Sequence, residues 1–327
     1  MTANRVRTGA LPEPMNVDGA KHHFRWGQWV WRIVVLLIAA IIINFLVTNP
    51  NFEWNIVWAW FSAPSIVKAL WTTIWLAAVS MILGIVLGVL LAVAKMSSNQ
   101  LLSGAAGLYI WFFRGTPVLV QLIFWFNMAA LLPQISLGIP FGGPKWVEWS
   151  TNSIITPVSA AILGLALNEA AYMAEIVRGG ILSVDKGQRE AAVAFGMTST
   201  QTLQRIILPQ AMRSIIPPTG NQLISMVKAT SQVSVIAMSD LLYTVQSVYN
   251  RTFQTIPLLL VAVIWYLIIT SILNIVQSFV EDHYAHGNRT GTGLPGLVRR
   301  LRGTSRKRTA ASATPPATTS QVGGSAS

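Results

Sequence analysis

The chain carries five apolar runs too long for a soluble core, at residues 29–47, 66–94, 108–132, 157–177 and 257–280. A helix needs about 20 mostly apolar residues to cross the hydrocarbon of a bilayer. No water is present there to satisfy backbone amides and carbonyls, so a chain with runs of this length spans as helices. The expected fold class is therefore an all-α integral membrane protein. The first run includes Arg32, whose stem can lie on apolar surface while its head reaches the interface. The second exceeds the need by about two turns and is expected to tilt or project.

Composition agrees. Charged residues make up 10% of the chain and hydrophobic ones 53%, whereas a soluble domain carries about 25% charged residues. Of the 13 tryptophans, Trp26, Trp29, Trp31, Trp54, Trp58, Trp60, Trp146 and Trp149 cluster near the ends of apolar runs, where indole favours the headgroup zone. The net charge of +12 reads as positive-inside bias in the tails and gives no case for nucleic acid. There is no cysteine, hence no disulfide, thiolate metal site or cysteine nucleophile. No small-residue cleavage site follows the first run, so it reads as an uncleaved first span.

A sixth span is less apparent. Residues 221–242 contain Gln222, Ser225, Lys228, Thr230, Ser231, Gln232, Ser234 and Asp240, and hydropathy alone passes over them. Parity argues for a crossing. The chain up to Arg32 has five Lys or Arg residues and the segment 281–327 has seven, so both termini are expected in the cytosol. That requires an even number of crossings, and six is the count. The loops alternate accordingly. Segment 49–65 has no Lys or Arg, 133–153 has only Lys145 and 243–255 only Arg251, which places them outside. Segment 178–216 has Arg178, Lys186, Arg189, Arg205 and Arg213, which places it inside. The tails, 1–28 and 281–327, are polar, basic and poor in core-forming residues, and are expected to be disordered.

The inner loop has its own pattern. Residues 186–195 form a helix with Ala191, Ala192, Ala194 and Phe195 on an apolar side. Gly196 stands where a left-handed residue closes a helix. Ser199 is placed to cap a second helix, along which Leu203, Ile206 and Ile207 recur at helical spacing. Pro209 ends or bends that element. The result is a compact knob, suited to insertion into a groove on a partner, with Glu190 as a candidate brace for its turn. On the second span, Ser80, Gly84, Gly88 and Ala92 repeat every fourth residue, a stripe that lets two helices approach closely. It reads as packing within one chain.

In order, Glu190-Ala191-Ala192, Gly196, Ile206 and Leu208-Pro209 resemble the signature loop of permease subunits of ABC importers. Arg114-Gly115-Thr116-Pro117 with Gln121, Ala171-Tyr172, Ala174-Glu175-Ile176, Arg178-Gly179-Gly180, Gly187-Gln188, Pro209-Gln210, Lys228-Ala229-Thr230-Ser231 and Val233 to Ile236 resemble its polar amino-acid branch. The resemblance covers 66–280. It implies the type I ABC importer permease fold, with 29–48 as an extra first helix and 186–213 as the cytosolic coupling loop. It implies that Glu190, Ala191, Ala192, Gly196, Ile206, Leu208 and Pro209 meet a separate ATP-hydrolysing subunit. It also implies a second permease subunit, identical or homologous, an extracytoplasmic solute-binding protein, and an amino acid as cargo. The chain itself is then not an enzyme and needs no cofactor.

Two features depart from the family pattern: the extra first span, and Asn168-Glu169 where small or uncharged residues are usual. Glu169 lies about 18 Å along its helix from Pro157 at 1.5 Å per residue. An acid at that depth faces a cavity or a partner, and Lys228 is the expected partner. Asn168, Glu169, Tyr172, Lys228, Ser231 and Gln232 are the candidate translocation path. Glu175 and Arg178, three apart, are expected to pair.

Other functions have little support. A G-x-G-x-x-G match at Gly291, Gly293 and Gly296 follows a membrane span and holds Pro295, which excludes the strand–turn–helix context of a dinucleotide site. No P-loop pattern occurs, so the energy comes from another chain. The four histidines, His22, His23, His283 and His286, lie in the tails without a supporting framework for a metal. A stand-alone secondary transporter or channel would favour internal repeats, none is visible, and it leaves the knob unexplained. An ABC permease for another small solute is the nearer alternative.

Overall fold

The computed structural model describes residues 26–138, 143 and 145–284. The segments 1–25 and 285–327, with His22, His23, His286 and the Gly291, Gly293, Gly296 pattern, lie outside the described residues. The chain divides into two units, Met1–Phe52 and Glu53–Ser327.

The first unit holds α1 (Trp26–Thr48) and a 3-10 turn at Pro50–Phe52. The helix starts three residues before the apolar run. The Arg32 guanidinium lies over the Trp29 ring at 5.1 Å, so an aromatic face accompanies the charge within the span.

In the second unit, a short α2 (Trp54–Phe61) leads into α3 (Pro64–Lys95) and α4 (Gln100–Gly115). Pro64 sits at the start of α3, where its missing amide costs nothing. Asn99 caps α4 by accepting from the amides of Leu101 and Leu102. Next come α5 (Val118–Phe126) and α6 (Met128–Leu131). Strands β1 (Gln134–Gly138) and β2 (Lys145–Ser150) form a small antiparallel hairpin, an addition to the all-α plan. Then follow α7 (Thr151–Ile154), α8 (Pro157–Leu182), α9 (Lys186–Ala194) and α10 (Ser199–Thr202). A π-helical turn, Leu203–Ile207, joins α11 (Leu208–Ala229), which continues as a 3-10 helix, Thr230–Ile236. The last helices are α12 (Leu241–Thr252) and α13 (Thr255–Tyr284).

Among the described residues, α1, α3, α8 and α13 are long and apolar enough to cross a membrane, and α4 with α5 adds a fifth span if counted as one. These two meet at 102°, so the continuous span expected over 108–132 is broken. Pro117 has no amide to donate and pushes the residue before it out of the helical region. Thr116 is accordingly extended, with φ −114° and ψ 141°. The polar span also differs from expectation. Its helix begins at Leu208, not near 221, and the α-helix stops at Ala229. There the hydroxyls of Thr230 and Ser231 turn back onto the carbonyls of Val227 and Lys228, each at 2.7 Å. Such local bonds compete with the helical ladder. Asp240 lies beyond the 3-10 helix and caps α12, accepting from the amides of Leu242 and Tyr243.

Helix α8 is the centre of the second unit and packs on α3, α4, α5 and α11. The small-residue stripe makes this possible. Ser80, Gly84, Gly88 and Ala92 are all buried. A β-carbon at Gly84 would meet Cγ of Glu169 at 2.7 Å, and one at Gly88 would meet Cβ of Met173 at 2.5 Å. The stripe therefore serves packing within the chain. Three apolar clusters pack this bundle. One centres on Leu76, Leu122, Leu165 and Met226. A second lies among α2, α3, α12 and α13 around Val57, Leu241 and Leu258. The third is near the knob, around Met173, Val177, Ala211 and Ile215.

Overpacking of this kind costs about 1–3 kcal/mol. Gly88→Val is expected at the upper end, because the backbone of α8 blocks it as well as Met173. Gly104, with nothing within 4 Å of an added β-carbon, is the control. The midpoint of thermal unfolding in detergent should fall for Gly88→Val and stay or rise for Gly104→Ala.

Candidate functional site

The knob is built from caps. Asp185 accepts from the amide of Gly187 at 2.8 Å and starts α9. Gly196 ends that helix with φ +75°. Its amide donates to Val193 O at 2.9 Å and the Met197 amide to Ala192 O at 3.0 Å, the paired bonds of a left-handed helix stop. Thr198 then caps α10. Its hydroxyl accepts from the Gln201 amide at 3.3 Å, and Gln201 Oε1 accepts from the Thr198 amide at 3.0 Å. The cap is thus one residue before Ser199. Glu190 is exposed on α9, and the turn is braced by Asp185 and Thr198 instead. Pro209 lies in the first turn of α11, so it opens that helix and does not close the preceding one.

The apolar side of the knob divides in two. Ala192 and Ile207 turn inward and are buried. Phe195 is 87% exposed and Val193 64%, beside exposed Ala191, Ala194 and Gly196. Ile206 is half-buried, and Leu208 is exposed. Side-chain bonds tie the knob to the bundle. Gln210 donates to Ile206 O at 3.0 Å and to Gln188 Oε1 at 3.4 Å. Ser183 donates to Ser214 at 3.0 Å. A stiff element therefore presents a bulky apolar tip.

Inside the membrane, the candidate polar residues separate into groups. The carbonyl of Phe113 would pair with the amide of residue 117, but that residue is proline. Two side chains take over: Gln121 Nε2 donates to it at 3.1 Å and Asn168 Nδ2 at 2.9 Å. Asn168 therefore holds the α4–α5 bend. Gln121, named only as part of the family pattern, does this too, and also donates to Thr116 O at 3.1 Å. The signal for both was the proline, which leaves a carbonyl needing a donor. Tyr172 lies under the Arg114 guanidinium at 5.4 Å.

Glu169 is buried, 5% exposed, against the gap left by Gly84. Its partner is Gln222, whose Nε2 donates at 3.1 and 3.3 Å, and not Lys228. Lys228 lies about 9 Å further along α11 at 1.5 Å per residue and is exposed. Ser231 and Gln232 are half-buried beside it in sequence. Among the described residues the ion pairs are Lys145–Glu148 and the expected Glu175–Arg178, at 2.6 and 2.7 Å.

The model of one protein family, "Binding-protein-dependent transport system inner membrane component", matches residues 84–286. The chain belongs to this family. It is 44% identical to the arginine transport system permease protein ArgU of Corynebacterium glutamicum over 85% of its own length and 86% of that protein's. To the glutamine transport system permease protein GlnP of Escherichia coli it is 31% identical, over 71% of this chain and 97% of that one. A solved structure, the crystal structure of an amino acid ABC transporter with histidines, matches with a TM-score of 0.57 and 32% identity. That match covers 67% of this chain and 94% of the other. The protein is a multi-pass membrane permease of the ABC importer type.

The left-handed turn gives a measurable expectation. A β-branched residue at Gly196 meets a strain of about 1–2 kcal/mol. Gly196→Val should speed hydrogen exchange of the 186–207 amides about tenfold while exchange in α8 stays unchanged.

Proposed function

We propose that the chain is the membrane-spanning subunit of an ATP-driven importer that carries a cationic amino acid across the cytoplasmic membrane. The observation that carries the reading is the knob: a capped, stiff element with Phe195 and Val193 bare at its tip. Apolar tips of this kind bury themselves in a partner's cleft. In this reading the cleft belongs to an ATPase subunit, and Glu190, Ala191, Ala192, Gly196, Ile206, Leu208 and Pro209 belong to the docked loop. Both termini and the loop face the cytosol, by the Lys and Arg distribution. A second permease subunit completes the pathway, and a solute-binding protein delivers cargo from outside. Tyr172, Lys228, Ser231 and Gln232, which are at least partly open in the single chain, line the path.

The cargo assignment rests on Glu169 together with the arginine-system relative. An acid in the middle of a span is costly unless a cation accompanies it. Glu169 has an amide partner but no ion pair among the described residues. A cationic amino acid supplies that charge once α3 and α11 part from α8, since the Glu169 carboxylate is enclosed between them in this arrangement.

Two measurements test the reading in the reconstituted complex. Burying a large apolar side chain is worth about 1.5–3 kcal/mol, so Phe195→Asp should weaken capture of the ATPase subunit tenfold or more. Normal capture and fully stimulated ATPase activity in that variant would contradict docking at the knob. Glu169→Gln keeps the shape and removes the charge. Loss of one member of a buried charge pair costs about 2 kcal/mol or more, so arginine uptake should fall about thirtyfold. Unchanged arginine uptake in Glu169→Gln removes the cargo assignment and leaves the permease reading standing.

A further inference from the structure

A recess of about 430 Å³ opens between α3, α4 and α8, lined by Lys95, Gly107, Trp111, Arg114 and Glu175 among others. Its charges do not balance. The acid, Glu175, is already engaged by Arg178, whose Nε and Nη2 donate to one carboxylate oxygen at 3.1 and 2.7 Å. Lys95 and Arg114 take part in neither ion pair found among the described residues. Lys95, Arg114 and Arg178 therefore share the single carboxylate of Glu175, and the recess carries an excess of positive charge.

Both are held in place by the fold. Arg114 is fixed by the Tyr172 ring beneath it, 5.4 Å from its guanidinium carbon. Lys95 is the last residue of α3, where the helix end favours a cation. Its ammonium reaches across to α4 and occupies the space that a β-carbon at Gly107 would fill. The glycine is what admits it. Lys95 ends α3, a helix long and apolar enough to cross a membrane, so the recess lies toward one end of that span. Trp111 is 71% exposed at its rim, and indole prefers the headgroup zone. Leu108 and Phe112 on the same helix are exposed and apolar, as lipid-facing residues are.

We propose that this recess binds a phosphate-bearing anion, with the Arg114 fork and the Lys95 ammonium donating to its oxygens. Guanidinium and ammonium groups make short charge-assisted bonds to phosphate, and basic recesses between membrane helices take lipid headgroups. An anionic phospholipid and free inorganic phosphate offer the same oxygens. The apolar outer surface of α4 beside the recess favours the lipid. The inference does not depend on which leaflet the recess faces, nor on the cargo.

The test uses the assembled transporter in two arms. In the first, complexes are reconstituted in nanodiscs of phosphatidylcholine and phosphatidylglycerol, and native mass spectrometry counts the lipids each complex retains. In the second, complexes in uncharged detergent are unfolded thermally with and without inorganic phosphate. A basic side chain near an anionic headgroup is worth about fivefold in binding, so Lys95→Gln or Arg114→Gln should lower phosphatidylglycerol retention about fivefold and the pair roughly thirtyfold. Lys95→Arg should retain it. Gly107→Ala asks only the flexible end of Lys95 to shift and keeps both cations, so it should retain phosphatidylglycerol as wild type does, and it serves as the charge-retaining control if Lys95→Arg fails to assemble. A phosphate-induced rise in unfolding temperature that disappears in Lys95→Gln, without selective lipid retention, assigns the recess to free phosphate. If the wild-type complex neither prefers phosphatidylglycerol nor shows a Lys95-dependent phosphate shift, the proposal is overturned. Equal phosphatidylglycerol retention by the double variant and wild type overturns the lipid assignment, and with no Lys95-dependent phosphate shift it overturns the site.

Discussion

The carbonyl of Phe113 is the point on which much of the membrane body turns. In hydrocarbon an unpaired backbone group costs several kcal/mol, and Pro117 removes the amide that would have paired this one. Gln121 and Asn168 donate to it instead. That substitution allows α4 and α5 to meet at 102° without leaving the carbonyl unpaired. It also binds the bend to α8, since Asn168 is on that helix. Tyr109 adds a second link, donating to Leu167 O at 2.9 Å.

Around α8, close approach replaces hydrophobic driving force. Lipid tails are as apolar as leucine, so helices in a bilayer associate through fit and polar contacts. Gly84 and Gly88 let α3 lie against Glu169 and Met173 with no room for a further carbon. The same helix carries the buried acid at its middle and passes into the knob at its end, where Asp185 starts α9. A straight helix spans the roughly 20 Å between Glu169 and the knob at 1.5 Å per residue. In the proposed mechanism, movement imposed on the knob by an ATPase reaches the centre of the membrane along this single stiff element.

The knob and the spans were legible in different ways. The long apolar runs, the Glu175–Arg178 pair and the left-handed Gly196 follow from local rules: length, i to i+3 spacing, and the absence of a β-carbon. The cap at Thr198 was misplaced by one residue because Ser199 carries an equally suitable hydroxyl, and only backbone geometry chooses between neighbours. Spacing alone makes Pro209 an end or a bend, yet proline suits the first turn of a helix as well. Helices α2 and α12 and the hairpin fall between the apolar runs, where hydropathy over a span-length window does not register elements this short.

The linear chain determined that this protein lives in a bilayer and which family it joins, because both depend on composition and on spacing along the backbone. Which polar groups meet inside the membrane was decided by the tertiary structure alone. Glu169 pairs with Gln222 and not with Lys228, and Asn168 serves the Phe113 carbonyl. Partners in lipid are chosen by helix rotation and depth, and these are set by how small residues let neighbouring helices close upon one another.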